Sequence, residues 1–188
     1  MWDASRNDTG SANQATPPPA PMLYHVSEVA NIAHFVPRAS MHGPVRLVWA
    51  VDQEHLRNYL LPRECPRVTF YATARTFEED RSRFLRDAPA VVAIEKAWVD
   101  RLRATTLYQY QFPPDRFKCV DAGAGYYVSR TAVTPIRIDK LSSILEALAA
   151  TGARLQVMES LWPLHDAVAA SSLQFSMIRM RNAIPRAV

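Results

Sequence analysis

The chain has 188 residues, 48% hydrophobic and 21% charged, with a formal net charge of +4. Such proportions describe a globular chain that fits one domain and buries enough surface to hold without a metal or disulfide staple. They give no special reason to expect extended nucleic-acid binding, and no run approaches the ~18 apolar residues that a membrane helix needs. Residues 1–21 are Ser, Asn, Thr, Asp and Gly followed by Pro17-Pro18-Pro19 and Pro21. That composition predicts a disordered tail ending in a short polyproline spacer, because it has almost no apolar surface to offset ordering entropy. The N-terminus lacks the basic-then-apolar pattern of a secretory leader, so cytoplasmic residence is the expectation.

From Met22 the pattern turns structured, and 22–188 is expected to be one α+β domain. Met22 to Ser27 reads as a short strand, with a helical turn possible from Ser27 to Ile32 before Pro37 and Gly43-Pro44. Val45 to Val51 is a second strand, and Asp52 a candidate N-cap for a helix from Gln53 to Leu61 that Pro62 stops. Arg67 to Ala72 is a third strand. Thr76 to Arg86 predicts an exposed helix with Glu78, Glu79 and Asp80 at its start. Ala90 to Ile94 is β-like, and Glu95 to Arg103 helical with Ala97, Trp98 and Leu102 on one face. Thr106 to Phe112 alternates cleanly. Tyr126 to Ser129 and Val133 to Ile138 give two further strands. Leu141 to Ala150 is the clearest helix, with Gly152 past its end, and Leu155 to Met158 is another strand. Leu161 to Ile184 fits helix or strand equally. With about eight short strands and no regular βαβ alternation, a curved mixed or antiparallel sheet with interspersed short helices is expected.

Strong catalytic motifs are missing. There is no glycine-rich phosphate loop, no H-E-x-x-H, no G-x-S-x-G and no paired-cysteine zinc site; five glycines leave little for a nucleotide cradle. Cys65 and Cys119 form no C-x-x-C pair, and the spacings of His25, His34, His42 and His55 match no recurrent ligand set, so no metal is expected. Glu95, Asp100 and Asp121 could each serve as a base or a ribose ligand, but a solvent-facing role as ordinary surface carboxylates is the expectation.

Two clusters remain. His25 and Ser27 stand two apart in the first strand and share a face, offering two hydrogen-bonding groups to a ligand lying across it. In a helix after Asp52, His55 and Tyr59 would be neighbours at i and i+4, with Arg63 and Arg67 in the proline-bounded turn behind them. Those arginines are candidates to hold a pyrophosphate or other anion, and the Pro37-Arg38 turn can fold back over His25, adding Arg38 to the ligand-binding set. An RNA-directed enzyme would draw on Arg38, Arg57, Arg63 and Arg67 for phosphates.

The series L-Y-H-x-S, F-x-P-R, V-W-A-x-D, P-R-x-C-P-R, L-Y-x-Y, Y-V-S-R-x-A-V-T-P and R-x-R-N-A, from Leu23 to Ala183, resembles a bacterial domain family without an assigned activity. The layout is also distantly similar to the ADP-ribosyltransferase superfamily and the related RNA 2′-phosphotransferases, which open on an L-Y-H-x-T or L-Y-H-x-S strand. This second resemblance implies an ADP-ribosyltransferase-like fold, NAD as cofactor and an ADP-ribose acceptor still to be identified. It implies that His25 bonds the adenosine ribose with Ser27 assisting, and that Tyr59 stacks on nicotinamide. Such transferases carry a glutamate near the strand that here reads Tyr126-Tyr127-Val128-Ser129, and none is present. Transfer would then rest on Ser129, Arg130 or a carboxylate from elsewhere, or the domain would bind nucleotide or protein without turnover.

Overall fold

The computed structural model describes residues 22–40 and 43–186; the expected tail, 1–21, and His42 lie outside the described residues. The chain builds eleven strands there: β1 (Leu23–Ser27), β2 (Arg38–Ser40), β3 (Gly43–Val51), β4 (Arg67–Tyr71), β5 (Ala90–Glu95), β6 (Leu107–Phe112), β7 (Lys118–Asp121), β8 (Tyr126–Ser129), β9 (Arg137–Leu141), β10 (Ala153–Met158) and β11 (Gln174–Ile178). Four short helices join them: α1 (Glu78–Asp80), α2 (Val99–Ala104), α3 (Ile144–Ala150) and α4 (Trp162–Ala169).

The strands form two sheets. The larger runs β7-β8-β3-β1-β6-β9, with β2 also on β3, and the smaller runs β10-β5-β4-β11. All named pairings are antiparallel except β10 with β5. The mixed α+β expectation therefore holds, with the sheet divided in two. Side-chain alternation sorts the core accordingly. Tyr24, Val51, Tyr71, Val92 and Ile94 meet between the sheets, together with Leu60, Leu61 and Leu148. Val68, Phe70, Val91 and Ala93 face the other way, beneath α4 residues Leu164 and Val168. Leu23, Val48, Ala50, Tyr110 and Phe112 form a third cluster on the outer face of the large sheet, under Phe35. β5 is apolar at five consecutive positions and buried throughout because it has a neighbour on each edge and a core on each face.

Several expected elements change form. The helix over 53–61 does not develop: only a 3₁₀ turn, Leu56–Asn58, is present, because Leu56, Leu60 and Leu61 all turn into the inter-sheet core. A one-sided helix cannot bury residues at those spacings alongside a buried His55. The charged segment gives α1 and then a π-helical turn, Arg81–Leu85. The turn over 27–32 is irregular, held by the Tyr110 hydroxyl, which donates to Val29 O at 2.6 Å and accepts from the Ile32 amide at 3.1 Å. β9 starts at Arg137 and not at Val133, which instead bridges Phe35. α3 starts later than expected, after Ser143, whose Oγ accepts from the Glu146 amide; Gly152 ends it at φ +75° as expected. Among the described residues no helix is long and apolar enough to cross a membrane.

Candidate functional site

β1 pairs with β6 along its whole length, Leu23↔Phe112 to Ser27↔Tyr108, but with β3 at Tyr24↔Val51 alone. The large sheet therefore opens between β1 and β3 just past Tyr24. A carbonyl left unpaired in such an opening needs another donor. His25 supplies it: Nδ1 lies 3.0 Å from Trp49 O. A carbonyl only accepts, so the proton sits on Nδ1 and the neutral ring presents a bare lone pair at Nε2. No described residue bonds that nitrogen.

The surroundings keep the ring neutral. Burial pushes the His25 pKa below its ordinary value, the Trp49 carbonyl pulls it back up, and the Arg63 charge lowers it further. Phe35 packs edge-on, 4.9 Å between centroids. Ser27 lies on the same face; its Oγ accepts from the Val29 amide at 3.0 Å and keeps its own hydrogen to donate. The Glu28 carboxylate accepts from the Arg63 amide at 2.7 Å, which pins the Pro62–Cys65 turn to the end of β1 and leaves the Arg63 side chain 80% exposed. The structure thus gathers His25, Ser27 and Arg63.

It does not gather the others. Tyr59 belongs to the inter-sheet core, on the opposite face of the large sheet from His25; its hydroxyl bonds that of Tyr126 at 2.9 Å. Burial, then the Tyr126 bond, push its pKa far up, so it is neither a base nor a stacking partner beside His25. Arg67 is no cleft arginine. It is 3% exposed, and its guanidinium donates to Asn58 O at 3.0 Å and Cys65 O at 2.8 Å, with longer bonds to Pro62 O and Arg63 O. Burial lowers its pKa to about 10, still charged at neutrality. Ser129 is buried and serves a turn, donating to Thr131 O and accepting from the Thr131 amide. Arg38 is exposed opposite Leu47, and no bond joins it to His25. Arg57 is buried with its guanidinium 4.6 Å from the Tyr71 ring centre.

One linked set escaped the sequence argument. Asp52 Oδ1 accepts from the His55 amide at 2.8 Å and from Nδ1 at 2.7 Å, and His55 Nε2 accepts from the Tyr71 hydroxyl at 2.9 Å. His55 therefore points to Tyr71 and not to Tyr59. Asp52 was expected to cap a helix over 53–61; its carboxylate instead closes the turn that precedes the 3₁₀ segment, whose cap position is His55, and the partner Tyr71, on another strand, was not legible. Gly125 closes over this chain at φ +66°, its carbonyl accepting from the Asp52 amide, and a Cβ there would collide with His55 Nδ1. Glu95, expected on the surface, is 1% exposed and accepts from the Leu161 and Ile184 amides, an anchor for the C-terminal segment. Among the described residues no three His, Cys, Asp or Glu side chains group as metal ligands.

Fold and site together define a two-sheet α+β domain with a neutral histidine lodged where its larger sheet parts. The chain belongs to a family of unknown function, DUF6886, whose model matches residues 24–183. No curated protein and no solved structure matches it.

Proposed function

We propose that the opening between β1 and β3 binds a nucleotide through its ribose, NAD or ADP-ribose in the first place, in an ADP-ribosyltransferase-like fold. The observation that carries this reading is the free Nε2 of His25. A neutral imidazole whose Nε2 lone pair has no partner among the described residues accepts from a hydroxyl and has nothing to donate, which suits a ribose O–H and does not suit a phosphate oxygen. Ser27 supplies the complementary donor, and the exposed Arg63 guanidinium supplies a cation for phosphate. The L-Y-H-x-S resemblance at Leu23 to Ser27 supports the same assignment.

A specific observation favours binding without turnover as the second reading. Breaking the nicotinamide glycosidic bond develops positive charge on the ribose, which a nearby carboxylate would stabilise. β8 carries none, Ser129 is consumed by its turn, and Tyr59 lies across the sheet. An RNA-directed reaction has less support, since Arg67 and Arg57 are occupied internally.

Calorimetry with ADP-ribose and NAD tests the proposal. Wild type should show saturable binding, and His25→Ala should lose about 10-fold or more in affinity while still folding cooperatively, at a somewhat lower melting temperature because the Trp49 carbonyl loses its donor. Because acid protonates Nε2 and removes the acceptor, affinity should be flat across neutral pH. Because the His25 pKa is depressed, affinity should fall only at a pH lower than the ordinary histidine value of about 6.5. No binding at about 1 mM ligand, or undiminished binding by His25→Ala, overturns the reading.

A further inference from the structure

A second cleft lies on the far side of the smaller sheet. It measures about 510 Å³ and is lined by Arg83, Arg86 and Arg154 over an apolar floor that includes Phe70, Phe84 and Leu164. The floor belongs to the cluster beneath α4, across the small sheet from the inter-sheet core. This cleft is therefore distinct from the opening at His25.

Its electrostatics are one-sided. No carboxylate lines the cleft, and among the described residues none of the three guanidiniums forms an ion pair. The acidic group that feels Arg83, Asp80, is already engaged: it accepts from the Ser172 amide at 2.7 Å and the Ser172 hydroxyl at 2.6 Å. All three arginines are exposed, and lining one cavity without a carboxylate among them they make its rim positive and leave room for an anion.

Two of the arginines are also held in place. The Arg83 guanidinium sits 4.8 Å from the Phe84 ring centre, and Arg154 Nη2 donates to Phe84 O at 3.4 Å. The third, Arg86, ends the π-helical turn at φ 53°, ψ −118°, a conformation that glycine adopts freely and other residues adopt at a cost. A glycine there would relieve the backbone and remove the charge.

We propose that this cleft binds a small phosphorylated ligand carrying a diphosphate group. Three forked cations match the several oxygens of a diphosphate better than the two of one carboxylate. Convergence on a single cavity of small-molecule size favours a compact anion over an extended strand, whose phosphates need a row of cations. The apolar floor takes the remainder of the ligand.

Pyrophosphate is the probe, because it has no ribose for His25 to hold. Titration of the full chain followed by calorimetry should show saturable binding that weakens steeply with added salt. Arg86→Gly should weaken it by about 10-fold or more while melting at the same temperature or higher. His25→Ala should bind pyrophosphate like wild type, which separates this site from the nucleotide opening. No saturable binding at about 1 mM pyrophosphate, or equal binding by Arg86→Gly, overturns the proposal. So does a single-stranded RNA oligomer that binds tightly and depends on Arg86 where pyrophosphate does not bind.

Discussion

Replacing Arg67 by Met should unfold much of the margin by which this domain is stable. The side chain is fully enclosed, and its stem would be kept by methionine, so the substitution isolates the guanidinium. What it removes are two short bonds, to Asn58 O and Cys65 O, and two at 3.5 Å, to Pro62 O and Arg63 O. A hydrogen bond from a charged donor contributes about 1.5–3 kcal/mol, and each buried carbonyl left without a partner adds its own desolvation cost. Counting only the short pair, and allowing that the buried charge itself was costly to place, the loss comes to about 3–5 kcal/mol. A domain of this kind has about 5–15 kcal/mol in total. Urea unfolding followed by the fluorescence of the four tryptophans measures it directly, as a lower midpoint at unchanged slope. Arg67→Lys, which keeps a charge but cannot reach Asn58 O and Cys65 O together in the same fork, should fall between. A loss below about 1 kcal/mol would refute the carbonyl cage as a stability element. A variant of normal stability that loses nucleotide binding would return Arg67 to the ligand.

Gly125→Ala should be among the most damaging single-methyl changes, losing more than about 2 kcal/mol in the same urea assay. The left-handed backbone disfavours any Cβ, and this one would strike His55. A melting temperature within a degree or so of wild type would mean that the Asp52–His55–Tyr71 chain yields readily. Alkylation by iodoacetamide near pH 8 should modify Cys119, which is exposed, and spare Cys65, whose thiol burial pushes up to about 12. A second adduct on the folded chain, seen by mass spectrometry, would show that the inter-sheet core opens.

The sequence was legible where a local pattern decides the outcome. β4, β5, β6 and β8 follow from runs of β-branched and aromatic residues, and Gly152 terminates α3 as its conformational freedom allows. It misled where tertiary burial overrides local preference: Leu56, Leu60 and Leu61 unwind the expected helix, and so separate His55 from Tyr59. The arginines show the same limit from another side. Arg63 and Arg67 are four residues apart in one turn, yet one is exposed and the other caged, because the carbonyls around Arg67 come from a loop whose path the sequence does not state. His25 and Ser27 were legible as a same-face pair. That their strand parts from its neighbour there was not, since register is fixed by strands far away in the chain.

That distance has a kinetic meaning. The Tyr110 hydroxyl that ties down the loop after β1 bonds Ile32 across 78 positions of sequence, and Asp80 reaches Ser172 across 92. β1 leans on β6 for its full length and on β3 at a single pair, so β1 has no firm partner until residues beyond 107 have been made and have folded back. Sheets assembled from such remote partners form slowly, over about milliseconds to seconds, because the loop must close before any contact rewards it. The opening at His25 is accordingly one of the last features to be completed. A ligand bound there can hold the finished domain but cannot guide its early collapse, so ligand should slow unfolding and leave the folding rate unchanged.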